Sequence, residues 1–380
     1  MRIAMVIQSF APVVGGAQRQ LESLAPLLEA RGVESICVTR LQGPSPVHER
    51  RPGIEVRRVR VPASIAGASL VYTAGGLASV ARFHPDVIHT YDLQSPSTIG
   101  LLASTMLRKP VVAKVLSTGR YGDVRSLLRR PLGHRRLRAI ARRFSGFISL
   151  SPEVDAELAE HGVATERIWR IPNGVDTGRY RPPEPGERER IRADLGLPRD
   201  EPLTLYCGRY TTDSKRLDVL LESFATIPGR LLLVGEGGAR DLLRTLADAP
   251  ELRGRVEIRD AVDDTAPIYR AADLYISAST TEGMSGSVLE AMATGLPVAA
   301  SPASGMAELV RPDTGVMAED PSADALGQAA RELLADPARR ARAGATAREL
   351  ATSRYSLEST ADRMVELYRS VMVEANGHRR

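Results

Sequence analysis

Lysine is almost absent from this chain. The sequence contains 51 basic residues, and only Lys109, Lys114 and Lys215 among them are lysines. Aromatic residues contribute 4% of the chain and include one tryptophan. No apolar run approaches the roughly 20 residues that a membrane-spanning helix needs. The sequence therefore predicts a protein without transmembrane helices.

Cysteine is also scarce, because only Cys37 and Cys207 occur. Each lies inside a predicted buried strand, so we interpret both as core thiols rather than as a disulfide or a metal-binding pair. The N-terminal sequence MRIAMVIQSF is too short, and its flanks too polar, for a signal peptide, and it is typical of a first strand. These features predict a protein of the reducing cytoplasm.

The bulk composition is that of a soluble globular protein. The chain has 380 residues, 43% hydrophobic and 26% charged, which is enough for about two domains. The net charge is +5 and the pI about 9.4. An excess of positive charge favours an anionic surface or substrate as a partner.

The most informative stretch is Ser279–Pro302, which reads STTEGMSGSVLEAMATGLPVAASP. A short apolar run precedes it and predicts a buried strand, and a helix is expected to begin near Ser287. A loop of small residues before a helix offers backbone N–H groups and a positive dipole end to an anion. Glu282 and Glu290 suit hydroxyl groups rather than the anion. The stretch therefore indicates a ligand that combines phosphate with sugar.

A similar arrangement stands near the N-terminus. Gly15 and Gly16 separate a predicted strand from a predicted helix, which is again a turn suited to an anion. They do not form the dinucleotide fingerprint G-x-G-x-x-G, which argues against a dehydrogenase. Strands and helices alternate through the chain, so we expect an α/β fold with parallel sheets.

The segment EGMSGSVLEAMATGLPV resembles the retaining glycosyltransferases of family 4, whose bacterial members read EGMSN-x-LLEAMA-x-GLPV. Gly286 replaces the usual asparagine. Further matches are IPNGVD at 171–176, GR…K at 208–215 and the VGxG turn at 234–237. The likeness covers nearly the whole chain, and it is strongest over 205–316.

This resemblance implies the GT-B fold, with two Rossmann-like domains facing each other across a cleft. The N-terminal domain, residues 1–176, would bind the acceptor, and the C-terminal domain, residues 177–354, would bind the nucleotide sugar. A C-terminal helix within 355–380 would cross back to the first domain.

The resemblance also implies roles for individual residues. Arg209 and Lys215 would clamp the donor pyrophosphate, Glu282 would orient the transferred sugar, and we assign these three to catalysis. The clamp agrees with physical chemistry, because a departing nucleotide diphosphate needs fixed cations. The donor-binding set would comprise Gly15, Gly16, Arg209, Lys215, Gly235, Arg259, Glu282, Gly283, Met284, Ser285, Leu289 and Glu290, with Glu290 on the ribose.

The acceptor side departs from the family pattern. His89, Gly119 and Asp123 are the candidates, with His89 expected at the end of the predicted strand Asp86–His89, where a polar loop closes the strand. Many relatives carry a second histidine where this chain has Tyr91, and some carry one near Leu116. The sequence after the strand at 256–258 also lacks the usual glycine, which leaves the donor base open, although uracil is the commonest in this subfamily.

Residues 124–144 contain eight arginines among apolar residues. The pattern predicts a basic amphipathic helical segment broken at Pro131. Three interpretations remain open: a solvated helix that covers the sheet, a face that docks on anionic lipid headgroups, and a site for an anionic or lipid-linked acceptor. No recognised nucleic-acid module supports nucleic acid as the partner.

The preferred hypothesis is a retaining transferase that moves a sugar from a UDP-sugar to a hydroxyl of a lipid-linked, polysaccharide or natural-product acceptor. The resemblance implies that it would need no cofactor and no metal, and no DxD pair or His/Cys cluster at metal-ligand spacing argues otherwise. We expect a cytoplasmic protein, peripheral at the inner face of the membrane. A GT-B sugar-nucleotide epimerase and a non-catalytic sugar-nucleotide-binding protein at the membrane surface remain the alternatives.

Overall fold

The computed structural model describes residues 1–13, 15–119 and 122–377. The chain forms two compact units. Unit 1 combines Met1–Asn173 with the chain from Leu357 onward, and unit 2 is Gly174–Ser356. The sequence placed these divisions after residues 176 and 354, and the last three residues of its returning segment, 378–380, lie outside the described residues.

Each unit contains one sheet, and the strands follow the apolar runs of the sequence. Unit 1 holds β1 (Arg2–Val6), β2 (Glu34–Arg40), β3 (His48–Arg51), β4 (Ile54–Val59), β5 (Val87–Tyr91), β6 (Val111–Lys114), β7 (Gly146–Ser149) and β8 (Ile168–Arg170). Unit 2 holds β9 (Leu203–Cys207), β10 (Arg230–Val234), β11 (Val256–Arg259), β12 (Leu274–Ser277), β13 (Val298–Ala300) and β14 (Gly315–Met317).

Helices connect most of the strands. Unit 1 contains α1 (Gly16–Glu29), α2 (Ile65–Phe83), α3 (Ser95–Met106), α4 (Asp123–Leu128), α5 (Gly133–Arg143) and α6 (Pro152–Glu160). Unit 2 contains α7 (Glu187–Asp194), α8 (Leu217–Phe224), α9 (Arg240–Ala247), α10 (Ala266–Ala271), α11 (Gly286–Ala293), α12 (Ala323–Ala335) and α13 (Pro337–Arg354), and α14 (Leu357–Gly377) returns to unit 1. No helix in the described part of the chain is both long and apolar enough to cross a membrane.

The structure extends two of the elements that the sequence predicts. The sequence predicts a helix near Gly75–Phe83, but α2 begins ten residues earlier, at Ile65. Gly75 and Gly76 lie inside the helix instead, and a Cβ at Gly76 would approach Ile99 Cδ1 to 2.6 Å, so the missing side chain permits close packing on α3. The strand predicted at Asp86–His89 is present as β5, and it continues two residues further, to Tyr91.

The break expected at Pro131 is confirmed, because α4 ends at Leu128 and α5 begins at Gly133. The sequence Ser151-Pro152-Glu153 predicts a helix start with Ser151 as its cap, and this start is confirmed at α6. Ser151 caps this helix, and its hydroxyl accepts a hydrogen bond from the Val154 N–H at 3.4 Å. Serine satisfies an N–H group that has no partner within the helix.

The sheet of unit 1 has the order β3-β4-β2-β1-β5-β6-β7-β8, and only β3 runs antiparallel to its neighbour. Helices cover both faces, as a parallel sheet requires. Helices α1 and α14 pack on one face, through Leu24 and Leu367 among others. Helices α2, α3, α5 and α6 pack on the other face, through Tyr72 and Ile140 among others.

The sheet of unit 2 has the order β11-β10-β9-β12-β13-β14 and is parallel throughout. Helices α8, α9 and α12 cover one face, with Leu220, Leu243 and Leu333 buried against the strands. The chain moves outward from β9 in one direction and then returns to β12 on its other side. Ligands of open parallel sheets bind at the carboxyl ends of the strands where the order reverses in this way. In unit 2 that place is between β9 and β12, and in unit 1 it is between β1 and β5.

Candidate active site

The loops after β9 and β12 meet at the carboxyl edge of the unit 2 sheet. The backbone N–H of Thr280 donates to the Ser214 carbonyl at 3.0 Å, which joins one loop to the other. Lys215 Nζ donates to Glu282 Oε1, and the two side chains are 17% and 12% exposed. The structure thus brings together two of the three residues that we assigned to catalysis. It does so at the point where the strand order reverses.

The close approach of the strand ends depends on glycine. Gly208 follows β9 with φ +157°, a conformation that favours glycine. A Cβ on Gly235, at the end of β10, would lie 1.8 Å from the Gly208 carbonyl oxygen. The two turns therefore pack backbone against backbone. The absence of a side chain at Gly235 permits this contact, so the loop after β9 lies next to the loop after β10.

Arg209 is exposed, and its side chain makes no hydrogen bond or ion pair with the residues that the structure describes. Its carbonyl accepts from the Tyr206 hydroxyl at 3.0 Å. Burial raises the pKa of Tyr206, the Glu282 carboxylate raises it further, and the Arg209 guanidinium lowers it. Both charges are therefore within electrostatic reach of one buried hydroxyl, so Arg209, Lys215 and Glu282 share one end of the sheet.

Helix α11 begins at the same edge. Gly283, Met284 and Ser285 are buried and precede its first residue, Gly286, one position before the predicted start. The first N–H groups of a helix have no partner within it and lie at the positive end of the dipole. The arrangement suits an anion beside the Lys215–Glu282 pair. The side chain of Leu289 is wholly buried in the core, so it packs beneath this site.

Glu290 lies on α11, about one helical turn after its first residue, Gly286. Its carboxylate raises the pKa of Tyr180, Tyr269 and Tyr275, in each case after the larger effect of burial. The carboxylate is therefore near a cluster of buried tyrosines. Tyr269 contacts both of the others, stacking on Tyr275 and meeting Tyr180 edge-on. Glu282 and Glu290 thus act on different buried hydroxyls.

Arg259 makes hydrogen bonds with other residues of unit 2. Its Nε donates to Glu257 Oε1 at 2.6 Å, and its guanidinium also donates to the Leu195 carbonyl at 2.6 Å. The Arg259 carbonyl accepts from the Gly235 N–H at 3.2 Å and from the Tyr210 hydroxyl at 2.7 Å. Both the side chain and the carbonyl of Arg259 are thus hydrogen-bonded within unit 2.

Sequence reasoning missed the tyrosines that hold these loops. Tyr206 binds the Arg209 carbonyl, Tyr210 binds that of Arg259, and the Tyr275 hydroxyl donates to the Cys207 carbonyl at 3.2 Å. Buried tyrosine hydroxyls need partners. The available signal was the position of Tyr206 and Tyr275 inside strands that the sequence predicts to be buried.

Gly15 and Gly16 belong to unit 1, whereas the other expected donor residues belong to unit 2. Gly15 stands at the N-cap of α1, and its carbonyl accepts from the Arg19 N–H at 3.0 Å. The Gln18 amide donates to the Ser9 carbonyl at 3.1 Å and to the Ser9 hydroxyl at 2.8 Å. These bonds hold the glycine turn at the carboxyl end of β1.

His89 lies in the interior of unit 1. Its Nδ1 is 2.7 Å from the Tyr368 hydroxyl of α14, and its ring stacks on Tyr91. Burial and the charge of Lys114 lower its pKa to about 3. The imidazole is therefore neutral across the physiological range. Its observed contacts join β5 to α14.

Asp123 and Gly119 shape the loop after β6. The Asp123 carboxylate accepts from the Leu116 N–H at 2.5 Å, and burial raises its pKa to about 6. Gly119 has φ +81°, and a Cβ there would meet open space. Leu116, where some relatives carry histidine, is thus held through its backbone by Asp123.

Lys114 is a buried cation at the end of β6. Its Nζ donates to Asn173 Oδ1 at 2.8 Å, and burial lowers its pKa to about 8. Asp92 follows β5, and burial together with Asp123 raises the pKa of this carboxyl well above its ordinary value. Arg40 and Arg136 lower it. The carboxyl edge of unit 1 therefore gathers buried titratable groups that we had not assigned to the site.

Within residues 1–13, 15–119 and 122–377, no three His, Cys, Asp or Glu side chains are grouped so that they could hold a metal ion.

Two sequence families match the chain. The profile described as Glycosyltransferase Family 4 matches residues 14–179, and that described as Glycosyl transferases group 1 matches residues 187–350. A D-inositol 3-phosphate glycosyltransferase of Xylanimonas cellulosilytica is 30% identical over 411 aligned residues, which cover 97% of this chain and 96% of the relative. A GDP-mannose-dependent monoacylated alpha-(1-6)-phosphatidylinositol monomannoside mannosyltransferase of Corynebacterium glutamicum is 26% identical, with 96% and 97% covered.

Solved structures match over the full length. Sucrose-phosphate synthase of Thermosynechococcus elongatus has a TM-score of 0.84 at 24% identity, covering 98% of this chain and 99% of that protein. The Anabaena protein HepE, in complex with UDP and glucose, has a TM-score of 0.80 at 22% identity, with 97% and 100% covered. These likenesses show a shared fold.

Proposed function

The chain belongs to the group 1 glycosyltransferases of family 4, with the GT-B fold. We propose that it transfers the sugar of a UDP-sugar to an acceptor hydroxyl with retention of the anomeric configuration. Use of a nucleotide-sugar donor follows from membership of the family. The identity of the donor base, the class of acceptor and the stereochemical course of transfer are our proposals.

The observation that carries the proposal is the Lys215–Glu282 pair at the reversal point between β9 and β12, beside the start of α11. A cation and the N-terminus of a helix together suit the diphosphate. The carboxylate of Glu282 can accept hydrogen bonds from the hydroxyl groups of a sugar. Arg209 supplies a second cation at the same edge, and Glu290 on α11 would accept from the ribose.

Retention is proposed to proceed on one face of the sugar. The bond between the anomeric carbon and the phosphate oxygen breaks, and the acceptor oxygen bonds to that carbon on the same face. The acceptor proton passes to the leaving phosphate oxygen, and UDP departs. Lys215 and Arg209 stabilise the charge that develops on the diphosphate, while Glu282 holds the sugar in position. No metal is required in this scheme.

UDP is the proposed donor nucleotide, supported by the HepE structure, which contains UDP. The C. glutamicum relative is named as GDP-mannose-dependent, so the two bases must be compared directly. The loop after β11 is the proposed base site. Arg179 holds this loop, because its Nε donates to Asp264 Oδ1 at 3.1 Å and its guanidinium donates to the Asp263 carbonyl at 2.9 Å.

A phosphate-bearing acceptor is proposed from the relatives and from unit 1. The X. cellulosilytica relative is named for inositol 3-phosphate. The carboxyl edge of unit 1 carries Arg40, Lys114 and Arg136 near the ends of β2, β5 and β6. Cations in this number favour an acceptor with negative charge. Gly119 and Asp123 would border it on the β6 side.

The test is a product analysis by mass spectrometry. The protein is incubated with UDP-glucose, UDP-N-acetylglucosamine or GDP-mannose, each with inositol 3-phosphate, inositol or no acceptor. We expect a glycosylated phosphate-bearing product and UDP, unchanged by EDTA, with an α-linkage by NMR when the donor is α-linked. Epimerised or hydrolysed donor in the arm without acceptor would indicate an epimerase or a hydrolase. Intact donor in every arm would contradict the proposal.

A further inference from the structure

Two neighbouring surface helices of unit 1 are almost free of charge. Helix α3 has no charged residue, and α2 has only Arg82, near its end. Surface helices of soluble proteins usually carry charged residues on their outer face. Here the outer positions of α2 include Ile65 and Leu70, which are 84% and 71% exposed. On α3, Met106 is 67% exposed.

The exposed apolar side chains are concentrated in this region. The described residues include ten large apolar side chains that are exposed, and six of them lie on α2, on α3 or in the turn before α5: Ile65, Leu70, Val71, Leu102, Met106 and Leu132. Large apolar patches of this kind mark interaction sites more often than isolated apolar residues do.

Arginines border the apolar surface along α3. The guanidinium of Arg130 is hydrogen-bonded to Gln94 Oε1 at 3.3 Å, just before α3, and that of Arg143 to Thr105 Oγ1 at 2.9 Å, near its end. Arg136 binds Thr98 Oγ1 between them, at 2.5 Å. Helices α4 and α5 therefore lie beside α3, with their arginines next to its exposed side chains.

Acidic residues are scarce around these arginines, although Arg136 interacts electrostatically with the carboxyl of Asp92. Residues 124–144 contain eight arginines and no Asp or Glu. In the described part of the chain, none of the eight is in an ion pair, and all except Arg136 are exposed. Like charges held this close repel each other, and an external anionic surface would relieve the repulsion.

We propose that α2, α3 and the α4–α5 segment form one face, here called the basic–apolar face, which docks on an anionic phospholipid bilayer. Interfacial protein surfaces combine apolar side chains that enter the headgroup boundary with arginines that contact lipid phosphates. The basic–apolar face has both in adjacent helices. A second copy of the chain is a poorer occupant, because it would bring eight further arginines against the first eight.

This surface lies outside the proposed donor site, so its test is independent of the proposed reaction. The measurement is co-sedimentation of the full-length protein with vesicles of phosphatidylcholine containing about 30% phosphatidylglycerol, compared with phosphatidylcholine alone, over a salt series. We expect binding to the anionic vesicles only, weakening as salt rises because exposed charges are screened.

Two variants separate the basic from the apolar contribution. Replacing Arg135, Arg138 and Arg142 by glutamine should weaken partitioning about 100-fold and flatten the salt dependence. Ile65→Asn with Leu70→Asn should weaken partitioning about tenfold or more and leave the salt dependence unchanged. The matched control replaces three exposed arginines of unit 2, Arg190, Arg199 and Arg342, by glutamine, and it should bind as the unaltered protein does.

Thermal unfolding followed by the fluorescence of Trp169 reports whether unit 1 remains folded in each variant. Equal binding to neutral and anionic vesicles would overturn the proposal, as would arginine variants that bind like the control. A concentration-dependent dimer that Ile65→Asn with Leu70→Asn abolishes, seen by analytical ultracentrifugation, would also overturn it and would assign the face to self-association.

Discussion

Replacing Glu282 by glutamine should change nucleotide binding and sugar transfer in opposite directions. Glu282 is the ion-pair partner of Lys215, and the two side chains are 12% and 17% exposed. Glutamine keeps the size of the side chain and removes its charge. Lys215 can then give its hydrogen bonds to the diphosphate without competition, whereas the sugar loses a charged acceptor.

The size of the effect follows from Coulomb's law. The Glu282 carboxylate and one negative charge of a bound diphosphate, taken to be about 6 Å apart at an effective dielectric constant of about 20, repel each other by about 3 kcal/mol. Because Glu282 retains some contact with water, we take about half of this repulsion, or about 1.4 kcal/mol. UDP should therefore bind about tenfold more tightly to the Glu282→Gln protein. Hydrogen bonds to charged groups contribute about 1.5–3 kcal/mol, so transfer should fall about 10- to 100-fold.

The assays are isothermal titration with UDP and steady-state transfer kinetics. The control is Glu222→Gln, which makes the same charge change at an exposed position on α8 and should alter neither quantity. A residue that only supported the fold would weaken UDP binding and lower the unfolding temperature together. Weaker UDP binding, or unchanged transfer, would refute the reasoning.

Three further predictions follow from the geometry. Lys215→Ala should lower kcat at least ~100-fold with a normal unfolding temperature, because it removes one fixed cation from the developing charge; near-normal turnover would count against the clamp. Gly235→Ala should destabilise unit 2 by about 3 kcal/mol in urea titrations, since its Cβ would lie 1.8 Å from a carbonyl oxygen, whereas Gly238→Ala, which meets open space, should have little effect. Burial raises the pKa of Asp123 to about 6 from 3.8, so the folded state binds the extra proton and stability should fall by up to about 3 kcal/mol as the pH rises from 4 to 6. Trp169 fluorescence during urea unfolding measures this slope, which Asp123→Asn should reduce, while Asp92, whose pKa is also raised, contributes the remainder; an equal slope in both proteins would contradict the assignment.

The candidate donor site at the carboxyl edge of the unit 2 sheet was largely predictable, because most of its residues lie close together in the sequence. The strand, the small-residue loop and the helix around Glu282 form one continuous segment, and local periodicity identifies each of them. Lys215 comes from another segment, 67 positions away. Only the family resemblance joined it to Glu282, since spacing along a chain does not reveal which strands are adjacent.

The acceptor edge of unit 1 was less predictable, because its properties arise from burial and from distant partners. Lys114 pairs with Asn173, 59 positions away. His89 was expected at the last position of its strand, yet β5 runs two residues further, and His89 contacts Tyr368 of α14. Sequence patterns indicate which residues are polar, whereas the depth of a polar residue depends on helices that pack on the sheet from elsewhere in the chain.

The hydrogen bond between His89 and Tyr368 joins residues 279 positions apart, and this separation has a consequence for biosynthesis. Unit 1 includes Met1, but α14, which covers one face of its sheet, is translated after the whole of unit 2. Unit 2 is continuous in sequence and does not include α14, so it can fold without that helix. We expect a released fragment that ends at Ser356 to contain a protease-resistant unit 2 and a protease-sensitive unit 1. Completion of unit 1, whose synthesis starts first, would therefore wait until α14 has emerged from the ribosome.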